Sequence, residues 1–194
     1  MFRLSKKPAK QLLYLFLWRD LRLTRGCELG IDAGCGDMQN KPGFESQRYL
    51  GIDLDAERLA AAQARHPDAE THCAALPEVA GIMGDFVLCV QVMNNRFFAV
   101  EQTVAAVHAL VAMVRPGGVL VFNISKRAFP YQAEIDALLG ESFGDVHKAE
   151  YGALSALETV LSPLLAGTMF FLPFLRRGAG YQKIYYRCQG RTAS

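Results

Sequence analysis

What this sequence has little of narrows the field before any motif is read. Neither sign of charge is in excess: 21 Lys and Arg stand against 19 Asp and Glu, a formal net charge of +2. A bulk electrostatic grip on nucleic acid is therefore not expected, and any basic partner surface must be local. The five cysteines, Cys27, Cys35, Cys73, Cys89 and Cys188, are odd in number, scattered and without C-x-x-C pairing. That argues against a disulfide framework and makes a reduced, cytoplasmic setting the expectation. The histidines offer no metal spacing: His66 precedes a proline, His108 shares a helical face with Val104 and Val111, and His147 falls in a polar strand. No metal site is expected. No secretory signal is visible either, because the apolar run 12–18 is short and no small-residue cleavage site follows it. Internal repeats and low-complexity segments are missing as well. The rest is an ordinary composition with 51% apolar residues, read as one domain over 1–194 with a sizeable core.

Against that background one stretch stands out. Residues 28–37 read Glu-Leu-Gly-Ile-Asp-Ala-Gly-Cys-Gly-Asp, a short apolar strand that ends in an acid and passes into a glycine-rich turn. Without side chains at Gly34 and Gly36, backbone N–H groups are free to approach a ligand closely. A second apolar run, 49–52, closes on Asp53, the place where doubly wound sheets put a carboxylate against ribose hydroxyls. A ribose-bearing ligand follows. The dinucleotide fingerprint asks for a third glycine, but Gly36 is followed by Asp37, Met38 and Gln39, so pyrophosphate binding loses ground.

The pattern D-x-G-x-G from Asp32 to Gly36 resembles motif I of the class I S-adenosylmethionine-dependent methyltransferases. Two later features resemble the same family in the right order: the buried strand 85–90 behind Asp85, and the turn Arg115-Pro116-Gly117-Gly118 before the apolar run 119–124. The resemblance covers 28–124 well and the remainder by pattern. It implies an α/β fold, a doubly wound, mostly parallel seven-stranded Rossmann-like sheet whose last strand runs antiparallel. It implies S-adenosylmethionine as cofactor, with Asp32, Ala33, Gly34, Cys35 and Gly36 around its tail, Asp53 and Leu54 at the ribose, and Val90 at the end of the fourth strand. Where the family commonly has an acid for the adenine amino group, this chain has His72, so the base is expected to rest on Cys73 and Ala74. Asn94 and Asn95 stand where many small-molecule methyltransferases carry a His-His pair. With Lys126 and Tyr131 they are the candidate acceptor contacts. No catalytic residue is assigned, because a sulfonium donor leaves without protonation and much of the rate can come from alignment.

Read in order, residues 1–25 form a basic amphipathic helix, placed on the sheet before its first strand or, on a sharper reading, at a membrane surface. The segment 36–49 contains Lys41-Pro42-Gly43, which leaves room for only a helical stub. Strands are expected at 49–53, 69–73, 85–90, 119–124, 145–151 and 182–188. Helices are expected after Asp55, over the Val100–Met113 region and before Gly140. Between the last two strands lies the apolar stretch 152–180, uncharged over 159–175. Pro163 and Pro173 divide it into a helical hairpin, read as a lid, a bilayer contact, an extra core layer or a homodimer face.

The function implied is methyl transfer to a small or lipid-like acceptor, with peripheral contact at the inner membrane face and no nucleic acid partner. Two alternatives stay open: a nicotinamide-dependent oxidoreductase, and a non-catalytic protein that keeps the fold as a binding partner.

Overall fold

The computed structural model describes residues 8–93, 98–152, 170–171 and 183–193. The calls at Asn94 and Asn95, and the apolar stretch 152–180 apart from Gly152, Phe170 and Phe171, lie outside the described residues.

Seven strands form one sheet: β1 (Leu29–Ala33), β2 (Arg48–Asp53), β3 (Glu70–Cys73), β4 (Gly84–Cys89), β5 (Val114–Ser125), β6 (Phe143–Tyr151) and β7 (Lys183–Arg191). They lie in the order β3-β2-β1-β4-β5-β7-β6. All the pairings from β3 to β5 are parallel, and β7 runs antiparallel between β5 and β6. Every residue of β1 is buried, as a central parallel strand covered on both faces requires. Because β1 lies between β2 and β4, the chain reverses its direction of winding there. A crevice opens at the carboxyl ends of those strands, where ligands bind in doubly wound sheets.

Alternation along the strands splits the core into two layers. On β4, Phe86 and Leu88 pack with Leu12, Leu13, Phe16 and Leu17 of helix α1 (Pro8–Asp20). Val87 and Cys89 point the other way, into the layer that holds helices α3 (Thr103–Ala112) and α4 (Gln132–Ser142). Helix α2 (Ala56–Arg65) starts at Asp55, whose carboxylate accepts the Arg58 N–H at 3.0 Å, and buries Leu59 and Ala62 against Met38, Tyr49 and Ala69. The apolar side of α1 thus lies on the sheet, where it is unavailable to a bilayer. No helix among the described residues is long and apolar enough to cross a membrane.

Helix α1 is also held by a buried charge. Asp20, 1% exposed, accepts both Arg19 nitrogens at 2.6 and 2.7 Å and the Tyr185 hydroxyl at 2.9 Å, with Arg187 at 3.6 Å. A carboxylate so paired is tolerable inside; with one partner removed it is costly.

Several boundaries differ from the expectation. Residues 115–118 do not precede the fifth strand but interrupt its ladder: Gly84 pairs with Val114, and the next pair is Phe86 with Val119. The excursion is fixed at both ends. Gly117 adopts φ +78°, and Arg115 reaches back to Asp85, whose other oxygen accepts the N–H groups of Glu28 and Leu29 at 2.8 and 2.9 Å. Strand β7 extends to Arg191 because Gln189 and Arg191 still find partners on β6.

Candidate active site

The chain leaves β1 through a turn that only glycines fit. Gly34 has φ +76° and Gly36 φ +51°, and a Cβ on Gly34 would lie 2.1 Å from Val92 Cγ2. The N–H groups of Gly34 and Cys35 both donate to the Ile52 carbonyl, at 2.7 and 3.0 Å, which draws the turn toward the end of β2. There Asp53 completes it: Oδ2 accepts the Gly36 N–H at 2.8 Å and Oδ1 the Asp55 N–H at 3.2 Å. A carboxylate has about four lone-pair positions, so two remain for a ligand's hydroxyls.

A cavity of about 660 Å³ opens over this turn. Gly34, Cys35, Gly36, Asp53, Leu54, Ala74 and Val90 line it, and Leu54 is 74% exposed. The structure puts the other expected residues elsewhere. Asp32 and Ala33 are buried beneath the turn rather than in its wall. His72, paired with Ile52, and Cys73, paired with Asp53, are not among the residues lining the cavity, and the wall beyond Asp53 is made by Ala74 to Pro77. Lys126, exposed, and Tyr131, packed beside the α3–α4 core layer, are not among the residues lining the cavity.

Other lining residues were not singled out from the sequence. Helix α1 contributes Lys10, Leu13, Tyr14 and Leu17; the loop after the turn contributes Asp37, Gln39 and Asn40; α2 contributes Arg58. Gln91, Val92, Phe98, Ala99 and Gln102 form the wall beyond β4. A second concavity of about 510 Å³ shares Tyr14, Leu17, Gln39 and Asn40 with the first and extends to Trp18, where the Arg22 guanidinium stacks 4.0 Å from the ring centroid.

The electrostatics divide sharply by depth. Asp32 accepts the Tyr49 hydroxyl at 3.0 Å and Asn40 Nδ2 at 3.2 Å, but burial outweighs these bonds and pushes its carboxyl up to about 7. Burial likewise raises the Cys35 thiol, which stays protonated and is no nucleophile. At the rim the order reverses: Arg58 binds Asp37 at 3.0 Å and holds that carboxyl below its ordinary value. Among the described residues no cluster of His, Cys, Asp and Glu could hold a metal ion.

Residues 31–122 match the family described as "Methyltransferase domain". The fold is shared with N-methyltransferase NodS from Bradyrhizobium japonicum, solved with S-adenosyl-L-homocysteine, at TM-score 0.67 and 16% identity over 100% of this chain and 92% of that one. It is shared with the plantazolicin methyltransferase BamL at TM-score 0.58 and 14% identity, covering 94% and 84% of the two chains. The [4+2]-cyclase SpnF matches at TM-score 0.58 and 13% identity, covering 91% and 82%. The fold alone therefore does not name the reaction. No curated protein matches the sequence.

Proposed function

We propose, from the match of residues 31–122 to the methyltransferase-domain family and from the geometry of the glycine turn, that the chain is a class I S-adenosylmethionine-dependent methyltransferase acting on a small acceptor. The observation that carries this reading is the Asp53 carboxylate, anchored to the Gly36 N–H at 2.8 Å while lining the cavity. Its spare lone pairs suit the two hydroxyls of a ribose. Leu54 and the apolar wall from Ala74 to Pro77 offer flat surface for a base.

The charges beside the turn favour this ligand over a dinucleotide. Asp37, Asp53 and Asp55 all line the cavity, and Arg58 is occupied by Asp37. A pyrophosphate laid on the turn would face carboxylates at close range, whereas a sulfonium and an ammonium would be attracted. Asn40 carries the influence of buried Asp32 to the cavity wall, and Lys10 provides a cation for a carboxylate on the α1 side.

When bound, S-adenosylmethionine supplies an activated methyl whose leaving group is a neutral thioether. The chain's own contribution is then to hold, align and dry the site, which can provide much of the acceleration. Leu13, Tyr14 and Leu17 cover one side of the cavity and Val90, Val92 and Phe98 the other. A lipid-like acceptor and peripheral membrane contact are the extension of this reading that draws on the apolar sequence 154–175. A homodimer through that stretch belongs to the same extension.

The test is calorimetry with S-adenosylhomocysteine. Wild type is expected to bind, and Asp53→Ala to lose about 100-fold or more in affinity, as expected for the loss of hydrogen bonds to a charged group worth about 1.5–3 kcal/mol each. Undiminished binding by a folded Asp53→Ala protein rejects the assignment.

A further inference from the structure

The connection from β1 to β2 carries no full helix. These strands are parallel neighbours, and such a pair is ordinarily joined through a helix packed on the sheet; here Pro42 and Gly43 hold it to a single turn of 3-10 helix, Lys41–Gly43. That short turn meets the 3-10 extension of α1 (Leu21–Thr24) at one point, where a Cβ on Gly43 would lie 2.7 Å from Leu21 Cδ1. Alongside it the second concavity, about 510 Å³, is left open as a groove.

The groove is tied at one end and joined to the larger cavity at the other. Away from the glycine turn, Glu45 accepts Arg25 Nε at 2.7 Å, and its N–H donates to Thr24 Oγ1 at 2.7 Å. Toward the glycine turn, Tyr14, Leu17, Gln39 and Asn40 line both spaces.

The two spaces differ in charge. Three aspartates, Asp37, Asp53 and Asp55, line the larger cavity, whereas the charged residues of the groove are Arg22, Arg25 and Glu45. Arg25 and Glu45 satisfy each other. Among the described residues no carboxylate pairs with Arg22. Its guanidinium lies 4.0 Å from the centroid of Trp18, a ring 49% exposed. Stacking occupies one face of a guanidinium and leaves its in-plane fork of N–H donors available to a carboxylate. Tyr14, Trp18 and Pro42 add flat apolar surface to the walls, which suits an aromatic ring.

We propose that the groove is a site for an aromatic acid and holds the remote end of the methyl acceptor, with the carboxylate on the Arg22 fork and the ring system against Trp18 and Tyr14. From Leu17 at the junction to Arg22 the helix rises about 8 Å, so an occupant that bridges the two is longer than one ring. The inference rests on the cofactor reading given above and adds the chemical class of the acceptor to it.

Trp18 is the chain's single tryptophan, so its emission reports on the groove. The probe is biphenylacetate, a two-ring acid, compared with its neutral amide. Wild type is expected to bind the acid saturably with a change in Trp18 emission, and the amide about tenfold more weakly, the loss of a hydrogen-bonded charge pair. Arg22→Met should bring acid and amide within about twofold of each other, and Arg22→Lys, which keeps the charge without the fork, should fall between. S-adenosylhomocysteine at saturation should leave the affinity for the acid undiminished. No saturable change, equal affinities for acid and amide in wild type, or a preference for the acid that survives in a folded Arg22→Met protein overturns the inference. Displacement of the acid by S-adenosylhomocysteine overturns it as well, because the acid then occupies the larger cavity beside Lys10. Biphenylacetate bound by a protein that takes no S-adenosylhomocysteine overturns the cofactor reading and leaves the groove an acid site with no methyl donor beside it.

Discussion

The two sides of the crevice reach a fixed geometry by different routes. At the end of β2 the organising group is a charged one near the surface: Asp53 accepts Gly36 and Asp55 N–H groups while it lines the cavity. At the end of β4 the organising groups are neutral and fully buried, and what they fix is a strained backbone at Gln91 rather than a side chain. The difference teaches where each half is vulnerable. Removing the carboxylate removes binding atoms directly and also releases the Gly36 and Asp55 N–H groups it holds, so affinity is lost and the turn is loosened locally. Removing Asn123 or Tyr151 takes away no lining side chain but leaves a buried polar partner unpaired, at a cost of about 1–3 kcal/mol, and frees the backbone at Gln91.

Substitutions in the two halves can break or sharpen this contrast. The largest effect is expected at Asp53, whose replacement by alanine should cost S-adenosylhomocysteine about 100-fold in affinity by calorimetry. Next comes Gly34, where the halves touch. Gly34→Ala combines a left-handed backbone with a 2.1 Å approach to Val92, a cost of about 1–2 kcal/mol from the backbone alone plus the clash. The melting temperature should fall by about 5 °C or more, at roughly 2–4 °C per kcal/mol for a chain of this size. The double variant with Val92→Ala should recover part of that fall, and no recovery would mean the contact across the crevice is not tight.

A smaller effect is expected beneath the turn. Burial holds the Asp32 carboxyl at about 7, above its ordinary value, so the folded state binds the proton more tightly than the unfolded chain. The stability this contributes is fully present below about pH 4 and is lost as pH rises to about 7. Asp32→Asn removes the titration, so denaturant melts should show the variant gaining on wild type across that window and keeping a constant difference above it. A difference that stays flat from pH 4 to 8 counts against a proton held under the glycine turn. The smallest expected effect concerns the membrane reading: deleting 154–175 should reduce sedimentation with anionic vesicles, and equal sedimentation before and after would count against a membrane contact by that stretch.

How much of this was legible beforehand follows the same division. The β2 side announces itself through residue types at short range: glycines where φ is positive, an acid closing an apolar run, an Asp at the start of α2. The sheet followed from the alternation of such runs with helices and from the family resemblance. The β4 side is written across long separations. Gln91 meets a partner 32 residues later, and that partner meets another 28 residues beyond, and glutamine is no signal for a left-handed backbone. Past Asp53 the cavity wall is taken up by Ala74 to Pro77 rather than by His72 or Cys73, a hand-over within a few residues that residue type does not signal. The seat of α1 in the cavity wall was equally hidden, because amphipathicity reveals that a helix will be buried without saying what its edge will overlook.

Helix α1 is tied through Asp20 to Tyr185, a residue 165 places further along the chain. The seating of Lys10, Tyr14 and Leu17 beside the glycine turn is therefore supported in part by a strand distant in sequence. A wall of the pocket and the far side of the sheet are linked through one buried carboxylate, so loosening β7 would loosen the chamber as well.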